Sequence, residues 1–196
     1  MRRPNCTQSL ETMLKGYQTL EAGGHECVVV HAEERTAKSG NKMLVVHLDT
    51  ASTDKQPNFY KKRYDNDTRP NKGWGCTVYF TQDGSQFNDE RLKAFVGAVC
   101  DATDGMDYDK LTDPDWEIID KIVKGKKLCT VFREEEYEKE DGTIGVSVKP
   151  YTFRAMELLK EGKINTPKKK LLKNTNSNND IFGGGMTPVN DGDMPF

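Results

Sequence analysis

Short apolar runs bounded by turn residues dominate this chain, and stretches of helical period interrupt them. Glu26–Glu34, through Cys-Val-Val-Val, and Lys42–Ala51, through Met-Leu-Val-Val-His-Leu, read as two strands. The turn Lys38-Ser-Gly-Asn41 joins them as a hairpin, with Gly and Asn placed for positive φ. Gly75–Gln82 is a third strand. Tyr79 alternates there with Val78 and Phe80 and is expected to face away from them. Leu92, Phe95, Val96 and Val99 then recur at helical spacing, with Asn88 placed to cap their helix. A loop rich in Asp and Gly leads to a second helical piece, Pro114–Val123. Lys127–Glu134 and Ile144–Phe153 read as strands four and five around an Asp141-Gly142 hairpin turn, and Arg154–Glu161 as a short helix. Ahead of all this, Ser9 can cap a helix from about Leu10 to Leu20 with Leu10, Met13, Leu14 and Tyr17 on one face, and Gly23-Gly24 break the chain after it.

The predicted order is helix, three strands, helical insertion, two strands, tail. The fold class is mainly β with some helix. Five strands with a helix between the third and fourth is the layout of a small closed Greek-key barrel of the oligonucleotide-binding type, the helix plugging its open end. An open α+β sheet shares the same order. At 196 residues the chain holds one domain plus tails. The expected divisions are an N-terminal helical lead at 1–22, the barrel at 23–160, a basic linker at 161–173 and a disordered acidic tail at 174–196.

A net charge of −2 argues weakly against a nucleic-acid binder until its distribution is considered. Residues 52–75 have no aliphatic side chain and carry six bases against three acids. Within them, Phe59-Tyr-Lys-Lys-Arg-Tyr64 interleaves rings and cations. A single strand offers unstacked base faces and a line of phosphates, and this composition can meet both without reading sequence. Phe59, Tyr60, Lys61, Lys62, Arg63, Tyr64, Arg69, Lys72, Trp74 and Tyr79 are therefore the candidate DNA-binding residues. The competing reading is that Phe59 and Trp74 pack a long loop onto the barrel. Lys163, Lys168, Lys169, Lys170 and Lys173 form a second basic run, either a solvated linker or a hold on the DNA backbone or on the acidic tail.

From Asn174 onward there is no Lys or Arg, and the chain ends Asp191-Gly-Asp-Met-Pro-Phe196. An acidic arm tipped by an apolar pair and a terminal carboxylate suits a pocket with an apolar floor and a basic rim. It resembles the acidic tip of bacterial single-stranded DNA-binding proteins. That resemblance makes Asp191, Asp193, Met194, Pro195 and Phe196 the partner-binding candidates.

A second resemblance covers roughly residues 20–155. Glu21–Asp49, with its glycines, strand, Lys38-Ser-Gly-Asn-Lys-Met43 and second strand, and then Arg91-Leu-Lys-Ala-Phe95, is similar to the single-stranded DNA-binding-like proteins of phages and prophages of Gram-positive bacteria. The resemblance implies an oligonucleotide-binding barrel and a role in DNA replication, recombination or repair. The implied partners are single-stranded DNA and, through the tip, replication, repair or recombination proteins; no stretch approaches the length of a membrane span, so no membrane is expected. A homo-oligomer is compatible with the chain. The insert at 57–74 is longer than that family leads one to expect.

Enzymatic readings are poor. His25 and Cys27 point the same way in a strand and Cys76 can join them, but no paired zinc-ligand spacing is present. No phosphate-binding glycine loop and no nucleophile motif appear. No cofactor, no metal and no catalytic residue are expected. Five scattered cysteines without a CxxC pair point to a reducing cytoplasm, the host bacterial cytoplasm if the chain is phage-encoded. Met1-Arg-Arg is not followed by the apolar run of a secretory signal. The expectation is a sequence-nonspecific single-strand coating protein. The alternatives are a recombination mediator or strand-annealing protein, and a phage protein that uses the barrel to bind protein alone.

Overall fold

A computed structural model describes residues 18–172. The predicted Leu10–Leu20 helix falls almost wholly outside them, and the tail with its tip lies entirely outside. Five antiparallel strands form one sheet: β1 (Gly23–Thr36), β2 (Lys42–Thr50), β3 (Thr77–Thr81), β4 (Lys127–Glu138) and β5 (Ile144–Arg154). Their order is β3-β2-β1-β4-β5. The helices are α1 (Phe59–Asn66), α2 (Gln86–Asp101), α3 (Asp113–Glu117), α4 (Ile119–Val123) and α5 (Met156–Lys160), with a 3-10 turn at Tyr108–Lys110. The three helical pieces α2 to α4 stand between strands three and four, as the sequence order predicts.

The sheet is not closed into a barrel. β3 and β5 are its two edges and exchange no ladder bonds. What lies between them is aromatic: the rings of Phe80 on β3 and Phe153 on β5 are 6.0 Å apart, and Phe95 of α2 packs on both, at 4.9 and 5.3 Å. The core continues through Val29, Val46, Leu48, Val78, Val96, Val99, Leu128 and Phe132, all buried. It therefore sits between the curled sheet and α2, with α4 contributing Val123. This is the burial that makes a helix of only moderate intrinsic preference stable.

Local signals explain the hairpins. Ala37 and Asn41 close the β1–β2 turn with an N–H to O=C bond of 2.8 Å, and Gly40 takes φ of 87° at its tip. Asn41 does not need positive φ, contrary to expectation. Gly142 takes φ of 77° between β4 and β5. β1 bulges between Val29 and His31, which keeps Val29 and Ala32 both on the core face.

Two further expectations are corrected. Ser85, not Asn88, caps α2: its hydroxyl accepts the Asn88 N–H, so Asn88 is the third helical residue. Pro114–Val123 is broken in two at Ile118, whose φ of −124° is not helical.

Candidate nucleic-acid interface

The segment expected to be an irregular basic insert contains a two-turn helix. Asn58 precedes it in the left-handed region and gives no side-chain cap. The cap comes from β2 instead. The buried Asp49 carboxylate accepts the N–H groups of Tyr60 at 2.8 Å, Lys61 at 3.2 Å and Thr50 at 2.9 Å, and the Thr50 hydroxyl accepts the Phe59 N–H at 2.9 Å. A carboxylate on the first turn satisfies orphan amides and opposes the helix dipole. Burial pushes the Asp49 carboxyl above its ordinary range, although these amide bonds pull the other way.

This helix divides the predicted binding residues. Tyr60 is buried in the core, 6.3 Å from Phe132 and against Cys76. A Cβ at Gly75 would lie 2.9 Å from its ring, so the glycine is what admits it. Burial drives its phenol far above the ordinary range. Tyr60 cannot stack on a base, and its place among the candidates is withdrawn: helical geometry turns it inward where an extended loop would have left it outside. Phe59 is half-buried against the same core. Arg69 is a second departure. Its guanidinium grips Asp67 with Nε–Oδ1 at 3.0 Å and Nη2–Oδ2 at 2.6 Å, which holds the Asp67 carboxyl down to about 2. Its charge is largely answered within the chain.

The remaining candidates converge. Trp74 donates its indole N–H to the Leu48 carbonyl at 2.8 Å and lies parallel to His47, 6.2 Å between ring centres. Tyr64 of α1 lies 5.5 Å from Trp74. Lys72 sits 4.2 Å over the Tyr64 ring and donates to the Tyr64 carbonyl at 3.0 Å. On the other side His47 faces His31 across the β1–β2 ladder, at 5.5 Å. The result is a row of rings, His31, His47, Trp74 and Tyr64, on the outer face of the sheet. Tyr79 stands on the same face of β3, opposite Val45, and is 53% exposed while Val78 and Phe80 are buried. Its outward orientation is the one expected from alternation.

Neither histidine was among the sequence candidates. The signal for His47 was present in its phase: it alternates with Leu44, Val46 and Leu48, which are core, so it must face outward. His31 follows from register only once the bulge is known. Burial, and then the neighbouring His31, push the His47 imidazole below its ordinary value. Glu33 lies on this face, paired with Arg35 and 3.8 Å from the His31 Nε2. On α1, Lys61 pairs with Asp65 at 2.8 Å on the surface, while Lys62 and Arg63 are exposed with no acidic partner among the described residues.

The lysine run lies elsewhere. Lys170 pairs in parallel with Glu135 of β4, through Glu136 N–H to Lys170 O at 2.9 Å and Lys170 N–H to Glu134 O at 2.8 Å. Lys169 bonds Glu136 at 2.7 Å. The run is thus strapped to β4 at Lys170, while Lys163, Lys168, Lys169 and Lys170 stay exposed. His25 is also accounted for: its ring nitrogens lie 2.9 Å from Asp54 Oδ1 and 3.0 Å from the Glu21 carbonyl. The partner-binding candidates Asp191, Asp193, Met194, Pro195 and Phe196 lie outside the described residues. Among the described residues no helix is long and apolar enough to cross a membrane.

A family model described as a protein of unknown function, DUF669, matches residues 10–141. No curated protein matches the chain. The matched span holds the ring row, Tyr79 and the basic helix, and it ends at the β4–β5 turn. With two thirds of its length inside that match, the chain belongs to the DUF669 family.

Proposed function

We propose that this protein binds single-stranded DNA without marked sequence preference and that it does so as a coating protein rather than a catalyst. The observation that carries the reading is the ring row of His31, His47, Trp74 and Tyr64, with Tyr79 exposed on the same face and Lys62 and Arg63 exposed on the adjoining helix. Rings and cations side by side on a rigid sheet serve stacking and phosphate contact together. Trp74 is pinned by its hydrogen bond and has a neighbour on each side, so it holds the row while Tyr64, His31 and Tyr79 offer the accessible rings.

We read the sheet as an oligonucleotide-binding barrel whose β3–β5 seam is filled by Phe80, Phe95 and Phe153 instead of ladder bonds. The strand order and the helix at that seam support it. The biological setting that fits is phage or prophage DNA replication, recombination or repair in a bacterial cytoplasm, with the tip at Asp191–Phe196 recruiting partner proteins.

Fluorescence anisotropy with labelled dT oligomers, single- and double-stranded, over a range of salt tests the reading. Single strands should bind far more tightly, with a log–log salt slope of roughly −0.7 per phosphate contacted. Equal affinity for duplex, or none for either, would sink it. Catalysed annealing of complementary strands would favour a mediator instead. Deleting residues 191–196 should leave single-strand affinity unchanged or slightly raised and abolish pull-down of a replication or repair protein. Phe196→Ala should reproduce most of that loss.

A further inference from the structure

The β4–β5 hairpin projects an edge that nothing among the described residues covers. Of the nine large apolar side chains exposed among the described residues, four lie on this hairpin: Tyr137 on β4 and Ile144, Val146 and Tyr151 on β5. The backbone of β5 decides what can join there. Glu134 and Glu136 direct their carbonyl and N–H to the strap residue Lys170, so Glu135 directs its own to β5. Ser147 is opposite Glu135 and faces it in turn. By alternation, Ile144, Val146, Val148 and Pro150 turn their backbone groups to the open side. Pro150 has no N–H to offer, and an outward position on an edge strand is where proline is tolerated.

That open edge is self-complementary. Laid antiparallel on a second copy with Ser147 opposite Ser147, Val146 meets Val148 of the other copy in bonded pairs and Ile144 donates to the Pro150 carbonyl. Every outward group of this stretch finds a partner except the Ile144 carbonyl, which faces Pro150 and has no N–H to accept. The side chains of Ile144, Val146 and Val148 share one face with Glu134, Glu136 and Glu138 of β4. Pairing joins the two apolar stripes into one seam bordered by glutamates on both flanks. The two rows of glutamates would lie three strand spacings apart, about 14 Å, beyond the screening length of about 8 Å at physiological salt. On the other face Lys149 falls opposite Gly145, so no like charges oppose each other. The same glutamates disfavour an acidic occupant such as this chain's own tail, whose charged side chains are Asp180, Asp191 and Asp193.

We propose that two copies of this chain associate by antiparallel pairing of β5 with β5 about a twofold axis at Ser147. The inference goes beyond DNA binding and does not depend on it.

Light scattering on the full chain across a concentration series tests it. The expected mass is twice the monomer's 22.2 kDa. Val146→Pro removes an outward N–H that the β4–β5 ladder does not use, and it should give a monomer with unchanged circular dichroism. Ser147→Cys should form an intermolecular disulfide under mild oxidant, because directly opposed residues in a non-bonded pair have Cα atoms about 4.5 Å apart, within disulfide reach. Lys149→Cys, opposite Gly145, should not cross-link, with Cys6→Ser present in both cysteine variants because Cys6 lies outside the described residues. If Val146→Pro fails to fold, the contrast between the two cysteine variants decides. A monomer at every concentration overturns the proposal. So does a dimer that survives Val146→Pro and shows no Ser147→Cys cross-link. A chain that dimerises only after residues 173–196 are deleted also overturns it, since the tail would then be the edge's occupant.

Discussion

Two lysine-rich stretches of this protein look alike in sequence and are held in different ways. On α1, Lys61, Lys62 and Arg63 face solvent beside the ring row, with one surface partner, Asp65, among them. On the strap, Lys169 is bonded to Glu136, Lys163 to Glu161, and Lys170 is laced into the β4 ladder by its backbone. The difference is which strand each stretch falls against. α1 is fastened by a buried acid, Asp49, that spends its carboxylate on backbone N–H groups of the first turn, whereas the strap lies along Glu134-Glu-Glu136. A count of bases cannot separate the two, because availability depends on where the acids are placed.

The strongest way to break the comparison is through the side chain that fixes α1. Tyr60→Ala removes a buried ring and should lower stability by about 3–5 kcal/mol in thermal or denaturant unfolding. Tyr60→Phe keeps the ring, and should leave both folding and single-strand affinity nearly intact. A Tyr60→Phe protein that folds but binds DNA poorly would put the phenol in the interface, against its burial.

Next in size is the direct contrast of the two basic stretches. Replacing Lys61, Lys62 and Arg63 by Ala should flatten the log–log salt slope by about 2, three contacts at roughly 0.7 each. Replacing Lys168, Lys169 and Lys170 should barely move it. The reverse ranking in the same titration would mean that the strap, not α1, carries the DNA backbone. Tyr79→Ala should then cost about 1–3 kcal/mol of single-strand affinity. Because the ring is half exposed on an edge strand, the melting temperature should not follow.

Much of this was legible beforehand, and the parts that were not have physical causes. Strand positions, both hairpin turns and the outward phase of Tyr79 follow from period and turn chemistry, which act within a few residues. α1 was not legible. Its start depends on Asp49, ten residues before the first helical residue, and the local candidate Asn58 adopts a left-handed conformation with no capping bond. Once that helix forms, Tyr60 and Tyr64 are no longer equivalent. The open seam was hidden for a similar reason: whether β3 and β5 close by ladder bonds or by Phe80, Phe95 and Phe153 is a tertiary matter. Lys170's pairing with Glu135, 35 residues away, lies beyond any local signal.

The smallest expected effect sharpens the contrast most. If the strap's lysines are unavailable because acids answer them, removing the acids should release them. Glu134→Gln, Glu135→Gln and Glu136→Gln together should steepen the salt slope of single-strand binding, by less than about one unit, since Lys169 is the cation most directly tied. Lowering the pH should not mimic this near neutrality. The bond from Lys169, and then the Leu172 N–H, hold the Glu136 carboxyl below its ordinary range, and Glu135 is likewise held low by Arg133 and the neighbouring lysines against the opposing pull of its burial. A depressed carboxylate contributes its stabilisation fully above its unfolded value, roughly 4.3, and loses it only as pH falls through the lower folded value. Between pH 5 and 8 the tie should hold, and the triple variant should differ from the unmodified chain throughout. A slope that shallows in the triple variant would show that these glutamates do not mask the strap, and the two basic stretches would then differ for some reason other than neutralisation.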